Sequence, residues 1–586
     1  MIMKTMLTGI LLENAVVGAT RRVARGLKCQ RRGRAGGSSL PALLWAAVSF
    51  WCAAACAADK PNVLLICVDD LKPLLGCYGT PIIQSPNIDR LATRGVLFER
   101  AFCNQAVCAP SRNALMTGLR SSSIGIYDLP TNFRKAVSDA VTVAQYFRKY
   151  GYRTEAMGKI MHVGHGNYED ADSWTVPHWK PRGAQYQLKE STASTRPSKV
   201  GGPRGAATEC ADVPDNTYPD GLIADEAIAR LRAAKAKPGE PWFIGVGFLK
   251  PHLPFVAPKK YWDLYKRDVF PLPTLKVPPI GAPEFAPTTW GELRQYTDIP
   301  EVGPLDDAKI RLLIHGYHAA TSYMDAQVGR VLDALDQLGF AKNTIIVLWG
   351  DHGWHLGDHG MWCKHTNYEQ AARIPFIVVA PGVAKPGAKT GALAETVDIY
   401  PSLCELAGLP APQGLDGASF VKALKSPSAT TKEAVFHVYP RGKLLGRAVR
   451  TARYRLVEWK EIGAPSDTAV FELYDYEADP AETKNLAADK PAIVAELRAI
   501  LAKQPEAKPQ VRADGQPAKK SKTSKSKQDR GAMFDKRDKN KDGKLTLEEF
   551  LAGQPDPDEA PKRFPSFDKN KDGFLSREEF IKGGKP

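Results

Sequence analysis

Cysteine is scarce where it would have to staple a fold together: of ten, Cys29, Cys52 and Cys56 fall within the first 58 residues, and seven are scattered over the remainder. That distribution excludes a disulfide framework and matches no zinc-ligand spacing. Net charge is nearly absent from the part that should fold. The formal +16 resolves into +7 from residues 1 to 58 (eight Lys/Arg, one Glu) and +6 from residues 507 to 530 (eight Lys/Arg, two Asp), leaving about +3 elsewhere. The folded part therefore calls for no nucleic-acid partner. Wholesale disorder is excluded in turn by 43% apolar and 25% charged residues over 586 positions, a composition for several globular domains.

The basic excess at the start has its own meaning. Arg21, Arg22, Arg25, Lys28, Arg31, Arg32 and Arg34 precede an apolar run, Leu40 to Cys56, which small residues close at Ala55-Cys56-Ala57. Residues 1–58 thus read as an export segment, with membrane contact only during export and a secreted or periplasmic product. The basic stretch is longer than in an ordinary signal peptide, which leaves a later start of translation open. A membrane anchor is the competing reading, but the run is short and broken by Ser49.

Three apolar, β-branched runs follow a common grammar. Pro61 to Val68 ends in Asp69-Asp70, Trp242 to Phe248 leads into Lys250-Pro251-His252, and Thr344 to Trp349 leads into Asp351-His352. Strands of this kind are buried on both faces of a parallel sheet, and open α/β sheets bind ligands beyond their C-terminal strand ends. Helical spacing between Asp306 and Leu338, a shorter helix over Thr142 to Tyr150 and another opened by Thr396 complete an α/β pattern. Residues 180–220, rich in Gly, Pro, Ser and Arg, predict a surface insertion bordering the cleft. From about Ala434 to Tyr476 three shorter runs predict a small antiparallel subdomain, closed by a helix over Ala492 to Leu501.

Cys108-Ala-Pro-Ser-Arg112 precedes a helix-compatible run, which places the sulfur near a helix N-terminus, where negative charge is favoured. A reactive thiol is one reading; a buried structural cysteine is the other. Three carboxylates, Asp69, Asp70 and Asp351, converging with His352 beside it would repel one another unless a hard divalent cation sat among them. Magnesium or manganese suits such a set as well as calcium does. Lys159, His162, Lys250, His252 and Lys364 add positive or titratable groups just past predicted strands or beside these motifs.

The end of the chain is different in kind. Residues 504–530 carry lysines among Ser, Gln, Ala and Pro without apolar periodicity and predict a flexible linker. Beyond it, a twelve-residue loop occurs twice. Asp538, Asn540, Asp542, Lys544 and Glu549, then Asp568, Asn570, Asp572, Phe574 and Glu579, stand at the ligand positions of a calcium-binding EF-hand, with Gly543 and Gly573 at the sharp turn. Dockerin-type modules use related loops, but a final Glu in both favours the EF-hand. A pair over 531–586, binding two calcium ions, is expected.

Taken in order, Asp69-Asp70, Cys108 to Arg112, Gly158-Lys159 to His162, Lys250-Pro-His252, Asp351 to Gly360 and Trp362-Cys-Lys364 resemble the type I sulfatases of the alkaline phosphatase superfamily. They look most like the iduronate-2-sulfatase branch, which carries His after the second metal Asp. The resemblance covers about residues 60–500. It implies an alkaline-phosphatase-like fold, a mainly parallel sheet sandwiched by helices, with the catalytic domain at 59–430 and the small subdomain at 431–503. It also implies a metal on Asp69, Asp70, Cys108, Asp351 and His352, calcium in this family. Cys108 would be oxidised to formylglycine by a formylglycine-generating enzyme, and its hydrate would attack sulfur. Arg112, Lys159 and Lys364 would neutralise sulfate, His252 would protonate the leaving alcohol, and His162 would act on the hydrate. A sulfated carbohydrate is the implied substrate. A phosphatase or phosphonate hydrolase on the same scaffold, and a calcium-dependent surface-binding protein, are the competing readings.

Overall fold

The computed structural model describes residues 60–197, 203–512, 530–552 and 560–582, so the expected export segment and most of the basic linker lie outside the described residues. Its centre is an eight-stranded sheet: β1 (Asn62–Val68), β2 (Val96–Phe102), β3 (Arg153–Gly158), β4 (Trp242–Phe248), β5 (Thr344–Gly350), β6 (Arg373–Ile374), β7 (Phe376–Val379) and β8 (Ala388–Glu395). The order is β6-β2-β7-β5-β1-β4-β3, with β8 also on β2. β1 pairs in parallel with β4 and β5, β3 with β4, and β8 with β2. Only β6 and β7 run against the rest of this sheet.

Why β1 reads as one apolar run is visible in its side chains. Val63, Leu65 and Cys67 enter the core on one face, Leu64, Ile66 and Val68 the core on the other. The helices Val143–Lys149 and Ile399–Leu406 cover the first face; Pro86–Arg94, Pro219–Lys235 and Asp307–Gln337 cover the second. Truncating a core side chain such as Leu65 to Ala would cost about 2–5 kcal/mol. The long helix is stopped and started by local chemistry. Asp306 accepts a hydrogen bond from the Lys309 amide at 2.6 Å at its start, and Gly339, with φ 77°, turns the chain beyond its end.

The small subdomain holds four antiparallel strands, Val435–Arg441, Leu444–Arg450, Tyr454–Glu461 and Val470–Asp475, one more than expected. Leu444–Arg450 escapes sequence reading because its buried positions include Arg447 and Arg450, tolerable only through partners. Glu369 of the main body receives both Arg450, at 3.1 Å, and Arg455, at 2.5 Å, and so ties the two parts together.

The linker expected from residue 504 begins later. Glu506 pairs with Arg447 and Lys460, each at 2.8 Å, Ala507 is buried, and the amides of Lys508 and Val511 donate to the carbonyls of Ser122 and Gly125. Residues 505–512 are thus a strap on the catalytic body. The strap lacks apolar periodicity because backbone hydrogen bonds and one carboxylate hold it.

In the tail, helices Arg530–Arg537, Leu547–Leu551, Ala560–Phe567 and Arg577–Lys582 flank the two loops, and the short strands Lys544–Leu545 and Leu575–Ser576 pair them. Phe534, Phe550, Phe564 and Phe580 form its core with Leu545 and Leu575.

Candidate active site

The C-terminal ends of β1, β3, β4 and β5 open onto the same edge of the sheet, because these strands are parallel neighbours. Asp69 and Asp351 extend the ladder by one bond each, donating to the carbonyls of Phe248 and Val68 at 3.2 and 3.1 Å. Asp70 then turns into the left-handed region, φ 59°, a conformation that costs a non-glycine residue free energy and clusters at functional sites. It is held there by its amide, which donates to Asp351 Oδ1 at 3.0 Å, and by its carbonyl, which accepts from Tyr317 Oη at 2.8 Å.

Lys159 arrives over two glycines. Gly158 has φ 72°, and a methyl group on it would come within 2.1 Å of the Gly247 carbonyl oxygen; one on Gly247 would meet the Lys159 carbonyl at 2.2 Å. The backbone beyond β3 therefore lies directly on β4.

Cys108 is the first residue of the helix Cys108–Thr117 and is 3% exposed. Arg112, one turn on, is fully buried between two carboxylates, Nη2 at 3.0 Å from Asp69 Oδ1 and Nε at 3.1 Å from Asp351 Oδ2. Burial pushes the Asp69 carboxyl up, but Lys159 and Arg112 outweigh it and hold the group well below the usual carboxylate range. The Cys108 thiol goes the other way: burial and then Asp69 push it well above its ordinary value. Burial and the neighbouring carboxylates thus act against the dipole that favours a thiolate at a helix N-terminus.

The remaining expected residues lie around the same cluster. Lys364 Nζ lies 3.0 Å from both Asp70 carboxylate oxygens. His252 Nε2 is 3.9 Å from Asp70 Oδ2. Lys250 is a brace: its Nζ donates to the carbonyls of His252 and Pro254 at 2.6 and 2.7 Å, while burial lowers it to about 8. His162 is stacked on His165, ring nitrogens 2.8 Å apart, and burial, followed by Lys159, keeps it neutral with a value of about 2. Its bonded partner is thus another imidazole.

Two residues that sequence reading missed complete the network. Glu292 contacts Lys364 Nζ at 2.9 Å and His252 Nε2 at 3.1 Å. It comes from an irregular segment, where no periodicity or motif marks it. Asp220 accepts from the amides of Leu249 and Lys250, both at 2.9 Å, and so fixes the turn bearing His252.

The donor set fits a hard cation. Ligand atoms of Asp69, Cys108, Asp351 and His352 all lie within 4.8 Å of one another. His352 Nδ1 faces the Gly353 carbonyl at 3.0 Å, a contact only an N–H can satisfy. In the neutral ring Nε2 therefore presents its lone pair to Asp70 Oδ1 and Asp351 Oδ1, 3.3 and 3.5 Å away, an arrangement that asks for a positive charge between them. A cavity of about 320 Å³ opens from this cluster, lined by Asp69, Lys159, His252, Gln185 and Arg204 among others, so the 180–220 insertion does border the cleft.

Sheet and helices have the alkaline-phosphatase-like fold. The Sulfatase family pattern matches residues 61–409, and the chain belongs to that family, a sulfuric ester hydrolase. The N-sulphoglucosamine sulphohydrolase C-terminal pattern matches 357–507, and EF hand patterns match 531–552 and 562–583. Iduronate 2-sulfatase of Mus musculus is 33% identical over 73% of this chain and 91% of its own length. Among solved structures, a complex with its substrate D-glucosamine-2-N,6-O-disulfate aligns at TM-score 0.60 and 22% identity over 76% of this chain and 97% of that one. The phosphonate monoester hydrolase of Silicibacter pomeroyi aligns at TM-score 0.61 and 23% identity, over 76% and 94%.

Proposed function

We propose that this sulfatase is exported and releases sulfate from a sulfated carbohydrate, using formylglycine made from Cys108 and a calcium ion on Asp69, Asp70, Asp351 and His352. The observation that carries the reading is Cys108 itself, buried at a helix start with its sulfur within ligand distance of three metal-type donors, Asp69, Asp351 and His352. A thiol so placed is a poor nucleophile, whereas its oxidised, hydrated form offers a hydroxyl that a divalent ion can acidify. The chain's own residues then set the field. Arg112 locks Asp69 against Asp351, and Lys159 and Lys364 bring positive charge to where sulfate oxygens must lie. His252 is placed to protonate the leaving alcohol, its Nδ1 facing the Leu253 carbonyl at 2.5 Å and its Nε2 the Glu292 carboxylate at 3.1 Å.

Export rests on residues 1–58 alone. Among the described residues no helix is long and apolar enough to cross a membrane. The two tail loops hold calcium through the residues named above, and the tail acts as a tether or stabiliser.

Mass spectrometry of the Cys108 peptide from active protein should find an aldehyde or its hydrate, and Cys108→Ala should abolish turnover. Sulfate and phosphate monoesters of one aryl alcohol, compared after chelation and readdition of calcium or magnesium, decide reaction class and ion. Preference for phosphate would move the assignment to a phosphatase.

A further inference from the structure

Arg196 and Arg204 face each other across an antiparallel bridge, each amide donating to the other's carbonyl at 2.9 Å. Their side chains have opposite fates. Arg196 Nη1 donates to the carbonyls of Arg294 and Ile299 at 2.8 and 3.0 Å, and Nε lies 3.7 Å from Glu301. The Arg204 guanidinium has no ion pair or hydrogen bond among the described residues; it lies over the Tyr296 ring, 5.7 Å from guanidinium carbon to ring centroid. It lines the 320 Å³ cavity together with Asp69, Lys159, Lys250 and His252.

The charge of that cavity is lopsided. Its carboxylate, Asp69, is already matched by Arg112 and Lys159. Lys250 is absorbed by two carbonyls. Arg204 is left as a half-buried cation facing the space into which the alcohol part of the ester must extend. Its backbone is firmly placed: Gly205, next to it, packs so closely that a methyl group there would lie 2.2 Å from the Ser191 carbonyl, and Tyr186 Oη donates to the Ala206 carbonyl at 2.7 Å. A rigidly mounted fork of five donors with an aromatic ring behind it suits a planar or tetrahedral oxyanion.

We infer that Arg204 is a specificity-determining residue which binds a second anionic group of the substrate, a carboxylate or a second sulfate, apart from the sulfate that is cleaved. This rests on the sulfate-ester reading above and adds the requirement that the natural substrate be at least a dianion. The test uses the full modified chain and three aryl sulfates that differ only at the far end of the alcohol, bearing a neutral amide, a carboxylate or a second sulfate. Wild type should favour one or both charged esters over the amide, and Arg204→Ala should lower kcat/KM for the favoured ester about 10- to 100-fold more than for the amide, the worth of a charge-assisted hydrogen bond. Arg204→Lys should keep part of the preference. The carboxylate and sulfate arms identify which group is read. A parallel loss on all three esters, or a preference that survives Arg204→Ala, overturns the assignment. If wild type turned over no sulfate ester, the reaction class would fail separately. Calorimetric binding of the same esters to Cys108→Ser, with and without Arg204→Ala, then decides Arg204, equal affinities refuting it.

Discussion

Two acidic clusters on this chain solve the same electrostatic problem in opposite ways. At the sheet edge, Asp69, Asp70 and Asp351 are wholly buried, and fixed cations, Arg112, Lys159 and Lys364, oppose them. In the tail loops the carboxylates are opposed mainly by backbone amides: Asp538 accepts from Asp542 and Gly543 at 3.1 and 2.9 Å, and Asp568 from Asp572 and Gly573 at 3.2 and 3.0 Å. Glu549 closes its loop by accepting from the amides of Lys539 and Thr546, and Glu579 does the same from Lys569 and Ser576. The buried cluster is preorganised by covalently attached charge and should keep its shape whatever ion it meets. The loops, near water and with Asp538 and Asp568 held by backbone amides, should take their order from the ion.

The sharpest break of that contrast removes a fixed cation. Arg112→Ala leaves Asp69 and Asp351 buried without their shared partner, which should cost about 3–5 kcal/mol of stability and at least about 100- to 1,000-fold in turnover. Thermal unfolding and aryl sulfate kinetics measure both. Next is Glu292→Gln, which loosens Lys364 and His252 together. A loss of about 10- to 100-fold in kcat/KM is expected, larger for alkyl than for nitrophenyl leaving groups if His252 is the proton donor.

Truncation separates body from tail. Ending the chain after residue 512 should leave turnover intact while calcium binding by the tail is lost. Ending it after 504 also removes the Glu506 pairs and the Lys508 and Val511 hydrogen bonds and should lower stability by about 1–3 kcal/mol. Equal melting of the two truncations would mean that the strap contributes nothing. The smallest effect on chemistry belongs to Glu549→Gln, which should weaken one calcium site by calorimetry and leave sulfate ester turnover at the wild-type rate.

Acid probes the junction of the two body parts. Burial raises the Glu369 carboxyl, but Arg450 and Arg455 outweigh it and bring the group from 4.5 to about 2. Because the folded value lies below the unfolded one, the pair stabilises fully above about pH 4.5, and the contribution is lost as pH falls from there towards 2. Hydrogen exchange should find residues 435–475 released in that window, and Glu369→Gln should remove the dependence.

The buried strands, the convergence of their C-terminal ends, the cysteine and both loops were legible because each has a local signature: continuous β-branched runs, a spaced motif, oxygen donors at fixed positions. What escaped has a partner far along the chain. Glu292 acquires its role from Lys364 and His252, Asp220 from the amides of Leu249 and Lys250, and the strand Leu444–Arg450 buries arginines only because Glu369 and Glu506 wait for them. The reversed direction of β7 is likewise set by its neighbours β2 and β5.

The contact between Gly158 and Gly247 limits how this enzyme can change. Neither residue has a side chain, yet a single methyl at either would displace the peptide carrying Lys159, whose carbonyl also receives Arg112. Variation at these two places is in effect variation of the catalytic centre, whereas Gln185 and Arg204, which line the cavity from the 180–220 insertion, are places where substrate preference can change without disturbing that contact.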